Sequence, residues 1–216
     1  MRVLLFMLCL KLYTKQIIMT LSIITLAAAL EEDLENGVAA KEKEYVWYGR
    51  LTDHSVLEKA IGKEVQSQAS LKINDCTLRV RKIIENGSLR FVMTGKRWIG
   101  RGECTECSHA SSQDMYEIFC TMAGETMDKI RFKFQGPGDT VFELDMFTNP
   151  DGSFKEWCKV DWEVPMAVTE FPALPFVLED VIFGGNDDYT SEQRKAVDKL
   201  LKKEFVNPVI AKTEKD

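Results

Sequence analysis

The stretch KVDWEV, residues 159–164, alternates strictly between charged and apolar residues. Successive side chains of a β-strand point to opposite faces, so this stretch predicts a strand with one apolar face and one ionic face. A single strand of this kind is ordinary on a solvated sheet. Several other segments of the chain repeat the pattern, however, and the way their charges are distributed favours one particular fold.

The other predicted strands have their charges sorted by sign. Basic residues alternate with apolar ones in 76–84 and 128–134, and they recur in 88–98, whereas acidic residues alternate with apolar ones in 140–147. The segment 42–51 is rich in aromatic residues. Asn86-Gly87 predicts a tight hairpin, because this dipeptide accepts positive φ at low cost. Segment 155–164 completes the set.

The two faces of these strands make different demands. The apolar faces are too aromatic for contact with water, and an ionic face that met water should mix both signs within each strand to allow cross-strand pairing. One geometry satisfies both faces: an antiparallel eight-stranded β-tunnel or barrel with a charged lumen and flanking helices, an α+β fold. A sheet with a solvated ionic face is the alternative.

Two helices are predicted. Segment 111–124 begins with serine and ends with glycine. Segment 190–205 opens with Thr190 and Gln193, the spacing of a capping box, and its apolar residues fall on one stripe.

A charged lumen would favour an ionic ligand. Charges inside a protein cost several kcal/mol unless they are paired, so a ligand that carries its own ions would offset that cost. Neighbouring carboxylates favour a divalent cation such as Mg²⁺, which binds one or two of them and also binds phosphate. Arginine forks onto phosphate oxygens. The pattern therefore predicts a metal-bound polyphosphate.

The bulk composition restricts the class of protein. A length of 216 residues suits one domain with a sizeable core. The net charge of −6 argues against broad affinity for nucleic acids. Cys104 and Cys107 form a C-x-x-C close to His109, but no second pair completes a zinc site, so core thiols are predicted. Nothing around either histidine resembles the surroundings of a nucleophile, which excludes a histidine-dependent triad.

The N-terminal part is apolar but interrupted. Lys11 and Lys15 leave no clean run long enough to span a bilayer, so no membrane association is expected. Residues 1–40 are interpreted as an extension and helix, of which 1–18 are an upstream extension of the reading frame. A secretory signal is the alternative. Residues 41–208 are predicted to form the tunnel domain and 209–216 a flexible tail, with a cytoplasmic location.

Five motifs of the chain come in the order and approximate spacing of the CYTH superfamily, also called triphosphate tunnel metalloenzymes. They are RVRK (79–82), TGK (94–96), KIRFKF (129–134), FELDMF (142–147) and KVDWEV (159–164). The resemblance covers about residues 42–205. It implies an eight-stranded antiparallel tunnel, Mg²⁺ or Mn²⁺ as cofactor, and a substrate that bears a triphosphate, either a small molecule or an RNA 5′ end.

The resemblance also implies roles for individual residues. The substrate-binding cations would be Arg79, Arg81, Lys96, Lys129, Arg131 and Lys133. The metal ligands would be Glu42, Glu44, Asp161 and Glu163. Glu143 and Asp145, together with Lys96, would be catalytic, and the two acids would bind metal or orient the attacking water.

The chain departs from the superfamily's pattern at two places. Val46 stands where the superfamily has a lysine, and Thr105 stands where it has a second acid, while Glu106 is expected to be out of phase. The predicted function is metal-dependent hydrolysis of a terminal phosphoanhydride. A non-catalytic nucleotide- or polyphosphate-binding protein and an adenylate cyclase of the same fold are the alternatives.

Overall fold

A computed structural model describes residues 40–73, 76–100, 103–164, 171–185 and 190–209. Most of the predicted N-terminal extension and tail, at 1–39 and 210–216, lies outside these residues. Within the described ranges, no helix has the length and apolar character needed to cross a bilayer.

The described residues form one antiparallel sheet of ten strands. The strands are β1 (Ala40–Arg50), β2 (Gly62–Ile73), β3 (Cys76–Glu85), β4 (Ser88–Gly100), β5 (Glu103–Ala110), β6 (Glu125–Gln135), β7 (Val141–Thr148), β8 (Phe154–Val164), β9 (Glu179–Gly185) and β10 (Val206–Pro208). The predicted antiparallel α+β class is confirmed. The strand number is ten because short strands β9 and β10 pair alongside β1 and β6.

Three helical segments accompany the sheet. A 3-10 helix, His54–Lys59, links β1 to β2. Helix α1 (Gln113–Ala123) begins after Ser112, whose side chain accepts a hydrogen bond from the Met115 amide, and ends at Gly124 with φ of 71°. Helix α2 (Ser191–Lys199) has the predicted capping box between Thr190 and Gln193 and continues as a π-helical turn, Leu200–Glu204.

The pairing of β6 determines how the sheet is arranged. Along one edge β6 pairs with β2, and along the other it pairs with β7. The remaining pairings run from β2 through β3, β4, β5, β1 and β8 to β7. The eight long strands therefore form a continuous circuit of pairings that begins and ends at β6.

The apolar faces of the strands are buried, as the alternation predicts. Val160 and Trp162 of the opening stretch are 0% and 2% exposed and belong to an aromatic core that also contains Tyr45 and Phe142. Helix α1 places Phe119 over the outer face of β2, β3 and β4. Because the apolar side chains of these strands point to the side that packs in the core, the charged side chains at the alternate positions share the opposite face.

Candidate functional site

Charged side chains of seven strands converge on a cavity of about 310 Å³. Strands that contribute several lining residues do so at spacings of two or four positions, as the two-residue period of a strand requires. The anionic residues that line the cavity are Glu44, Glu106, Asp145, Asp161 and Glu163. The cationic residues are Arg79, Arg81, Lys96, Lys129, Arg131 and Lys159.

Asp145 holds two of these cations in place. Its carboxylate accepts hydrogen bonds from Arg131 Nε at 2.7 Å and Nη2 at 2.9 Å, and it also accepts one from Lys129. Burial alone would raise the pKa of Asp145, but Arg131 and Lys129 outweigh it and lower that pKa well below its ordinary value. The carboxylate is therefore ionised and occupied by its partners.

The sorting of charges by strand has a simpler cause than we expected. Basic β6 lies beside acidic β7, so Arg131 forms ion pairs with both Glu143 and Asp145. A basic strand beside an acidic strand thus produces cross-strand ion pairs. The expectation that such ion pairs require both signs within each strand is wrong. Burial is the better evidence for an enclosed ionic face, since Lys129 is 6% exposed and Asp145 is 0% exposed.

A second group of ion pairs involves a residue that sequence reasoning missed. Lys159 Nζ lies 2.6 Å from an oxygen of Asp161 and 3.5 Å from an oxygen of Glu44. Lys96 Nζ donates to the other Glu44 oxygen at 3.0 Å. The signal for Lys159 was its spacing of two and four residues from Asp161 and Glu163, which places all three on one face of β8.

Asp161 and Glu44 differ in their ionisation although both are buried. Burial raises the pKa of Asp161 to about 7, with Glu44 and Asp145 adding to the rise and Lys159 and Arg131 opposing it. Burial also acts to raise the pKa of Glu44, but Lys159 and Lys96 outweigh it and the pKa falls well below its ordinary value. Of these two carboxyl groups, Asp161 is thus the more readily protonated.

Two arginines of β3 form a wall with few anionic partners. Arg81 donates from Nη2 to the hydroxyl of Thr94 at 2.9 Å, and Nη2 of Arg79 lies 4.0 Å from Glu106. Nε of each is buried and has no hydrogen-bond partner in the part of the chain that the structure describes. Burial lowers the pKa of Arg81 to about 10, and repulsion from Arg79 and Arg131 adds to this. The wall therefore favours an anion with several oxygens.

Among the cavity carboxylates, Glu163 differs from the others in its contacts with the described residues. Within the described residues it makes no ion pair or hydrogen bond, and it faces Glu44 across β1 and β8. Partial burial raises the pKa of Glu163, and Glu143, Glu44 and Glu106 raise it further.

The structure brings most of the predicted site residues together. The members that line the cavity are Glu44, Arg79, Arg81, Lys96, Lys129, Arg131, Asp145, Asp161 and Glu163. Lys133 instead binds Glu64 at 2.5 Å and Glu85 at 3.3 Å, away from the cavity lining. Glu143 is held by Arg131, and the side chain of Glu42 lies outside the described residues.

Glu106 corrects one sequence expectation. A register irregularity between β4 and β5 occurs at Trp98–Gly100, and beyond it Glu106 pairs with Lys96 in register. Its carboxylate lies 3.6 Å from Lys96 Nζ and lines the cavity. Glu106 is thus out of phase with Thr105, as expected, but the cavity face of β5 is the one that carries Glu106 and not the one that carries Thr105.

Among the described residues, no group of three or more His, Cys, Asp or Glu side chains is placed to hold a metal ion. Cys104 and Cys107 are buried in β5, in agreement with the predicted core position.

Several solved structures resemble this chain in architecture. The inorganic triphosphatase NE1496 matches with a TM-score of 0.42 and 17% identity, over 71% of this chain and 93% of that one. The PH1012 protein from Pyrococcus horikoshii OT3 matches with a TM-score of 0.44 and 17% identity, over 78% and 96%. HpAC1 from Hippeastrum is a putative adenylyl cyclase described as having a dominant triphosphatase activity. It matches with a TM-score of 0.35 and 12% identity, over 56% of this chain and 79% of that one.

No protein-family model and no curated protein matches the chain. The three structural neighbours named above are 12–17% identical to this chain. With TM-scores below 0.5, these similarities carry no activity over to this chain.

Proposed function

We propose that the chain is a divalent-metal-dependent hydrolase that cleaves the terminal phosphoanhydride of a triphosphate substrate inside a β-tunnel. The observation that carries the proposal is the wall of Arg79 and Arg81, two like charges that share one cavity and retain unpaired buried donors. A triphosphate supplies the oxygens that these donors lack, and it offsets the repulsion between the two guanidinium groups. The motif resemblance to triphosphate tunnel metalloenzymes supports the same substrate class.

The tunnel is the fold on which this function depends. The circuit of eight paired strands supports it, as does the inward direction of the ionic side chains of β6, β7 and β8. An enclosed site of this kind strengthens electrostatic contacts with phosphate because little water screens them.

A divalent cation fits one end of the cavity. Mg²⁺ usually binds through one or two carboxylates plus substrate phosphates, so it does not need a three-residue cage. Glu163, which has no ion pair or hydrogen bond in the described part of the chain, would be the carboxylate that holds the cation. When bound there, Mg²⁺ or Mn²⁺ would neutralise charge on the phosphoryl oxygens. Glu44 and Asp161 fit this role less well, because their oxygens already have cationic partners. Lys96 and Lys159 bind those of Glu44, and Lys159 and Arg131 bind those of Asp161.

Other side chains of the cavity would bind the phosphates and accept the proton. Arg79, Arg81 and Lys96 hold the phosphate oxygens and stabilise the charge on the phosphoryl group as it is transferred. Water attacks the terminal phosphorus, and the bond from phosphorus to the bridging oxygen breaks. Asp161, with its pKa of about 7, accepts the proton of the attacking water. The products are orthophosphate and a diphosphate compound.

Asp145 was predicted to orient water or bind metal, and its contacts support a different role. Both of its oxygens are bonded to Arg131 or Lys129, which leaves it as the residue that positions these cations.

The proposal is tested by phosphate release from inorganic triphosphate, ATP and 5′-triphosphorylated RNA with Mg²⁺ and with Mn²⁺. Metal-dependent release that Glu163→Gln abolishes and the surface variant Glu192→Gln retains supports a hydrolase. Binding of a triphosphate without any release indicates the non-catalytic alternative. Conversion of ATP to a cyclic nucleotide and diphosphate indicates the cyclase.

A further inference from the structure

One end of the cavity is apolar. Its lining there is Tyr48 from β1, Met127 from β6, Phe147 from β7 and Leu201 from the π-helical turn. Phe147 stacks on Phe205 with ring centroids 3.7 Å apart, which anchors this surface to the core below. We call these four residues the apolar floor.

The strand register places the floor at a defined level. Phe147 pairs with Lys129 across β6 and β7, and Tyr48 pairs with Lys159 across β1 and β8. Glu163 lies four residues along β8 from Lys159 and therefore at the other end of the cavity. The proposed cation site and the apolar floor thus bound the cavity at opposite ends.

Gln68 of β2 lies where the arginine wall meets the apolar floor. In register it is opposite Arg81 on one side and Met127 on the other. The residue is 8% exposed and lines the cavity. A ligand held by Arg79 and Arg81 could therefore reach Gln68 along β2 and β3, without displacing the ion pairs of Asp145.

The amide of Gln68 is poorly satisfied. Its Nε2 has the sulfur of Met127 as a partner at 3.5 Å, and its Oε1 is buried with no hydrogen-bond partner in the described ranges. A buried amide without partners destabilises the fold, and most such groups in proteins are paired. The side chain has both a donor and an acceptor to offer to a ligand.

We propose that Gln68 and the apolar floor bind an uncharged planar heterocycle that is joined to the phosphate chain. The preferred ligand is then a nucleoside triphosphate and not bare inorganic triphosphate. A glutamine amide reads the adjacent donor and acceptor of adenine in the same way that it does in DNA recognition. Aromatic and thioether groups provide the surface on which such a ring packs. The inference depends on the proposed function for the position of the phosphates.

The test measures binding, so it does not require turnover. Isothermal titration calorimetry in the absence of divalent cations gives the Kd of the full chain for ATP and for inorganic triphosphate. We expect ATP to bind more tightly than triphosphate. Gln68→Met should weaken ATP binding about tenfold, because it removes one or two hydrogen bonds to the ring. It should leave triphosphate binding within about twofold.

Unfolding distinguishes a binding role from a structural one. Met fills the volume of the glutamine and removes an unsatisfied amide, so the Tm of Gln68→Met should equal or exceed that of the unsubstituted chain. Gln113→Met, on the exposed surface of α1, is the matched control and should change neither Kd nor Tm.

Three results would overturn the inference: ATP that binds no more tightly than triphosphate, equal weakening of both ligands by Gln68→Met, or a lower Tm of this variant with unchanged ATP binding. Failure of the proposed function is a separate result. In that case no triphosphate releases phosphate with Mg²⁺ or Mn²⁺, while the two Kd values still decide the ligand class.

Discussion

Glu44 and Glu163 lie directly opposite each other across β1 and β8. Like charges in this position destabilise a sheet. Glu44 is neutralised by Lys96 and Lys159, whereas Glu163 has no ion pair within the described residues. A cation bound beside Glu163 would therefore stabilise the folded protein.

Divalent metal is therefore expected to stabilise the fold through Glu163. Saturating Mg²⁺ should raise the Tm by several degrees relative to chelator, because a ligand that binds only the folded state shifts the unfolding equilibrium. Glu163→Gln should have a higher Tm in chelator and a much smaller response to Mg²⁺. Thermal unfolding followed by circular dichroism checks this, and an equal response of both proteins would contradict it.

Removing a guanidinium group from the wall should weaken binding without weakening the fold. Arg81→Met is expected to raise the Kd for inorganic triphosphate about tenfold or more, since a charge-assisted hydrogen bond is worth about 1.5–3 kcal/mol. Its free energy of unfolding should stay equal or rise, because repulsion from Arg79 is relieved. Calorimetric titration and urea unfolding measure the two quantities. Arg194→Met, exposed on α2, is the control, and a large loss of stability in Arg81→Met would argue that Arg81 is structural.

Asp145 is expected to be essential for stability. Asp145→Asn leaves Lys129 and Arg131 buried without their main anion, and breaking a buried pair in this way costs about 3–5 kcal/mol. Urea unfolding at pH 7 should show the loss as a lower midpoint. Asp139→Asn, in the exposed β6–β7 loop, should unfold like the unsubstituted protein. A loss below about 1 kcal/mol would show that the pair is solvated in solution.

The raised pKa of Asp161 predicts a pH dependence of stability. Its pKa rises from 3.8 to about 7 on folding, so between these values the folded state binds more protons than the unfolded state. The contribution of Asp161 to the free energy of unfolding is therefore most favourable below pH 4 and declines as the pH rises towards 7.

Asp161→Asn removes this contribution. Relative to the unsubstituted protein, the variant should gain on the order of 2 kcal/mol or more between pH 4 and pH 7. Urea unfolding at several pH values gives the difference curve, in which the other titrating groups largely cancel. A flat curve would show that Asp161 is ionised throughout this range.

The sequence predicted the strands in which charge alternates with apolar residues, because such alternation has a single physical meaning. β6, β7 and β8 are of this kind, and both helices were also found from their caps. β2 was not predicted, since its inner positions carry Gln66, Gln68 and Ser70 and its outer face is only weakly apolar. When neutral polar residues alternate with weakly apolar ones, hydrophobicity varies little along the strand, and the sequence shows no clear strand pattern.

The site was predictable to a similar extent. Arg79, Arg81 and Arg131 reach the cavity because strand parity places them there. Parity alone could not show which face of β5 meets the cavity, and so it did not place Glu106. It could not place Lys133 either, because the neighbours of Lys133, Glu64 and Glu85, come from strands that had to be paired first. Long-range register is a property of the folded sheet and leaves no local mark in the sequence.

The short strand β10 covers an edge of the sheet. It covers Glu125–Met127 of β6, a portion of backbone that β7 does not reach, and Asn207 secures it by donating to Asp128 at 2.7 Å and to the Thr148 carbonyl at 2.9 Å. A chain truncated before Val206 would uncover these amide and carbonyl groups and invite another molecule to dock there edge to edge. Strand β10 would thus protect the protein from edge-to-edge association as much as it completes the sheet.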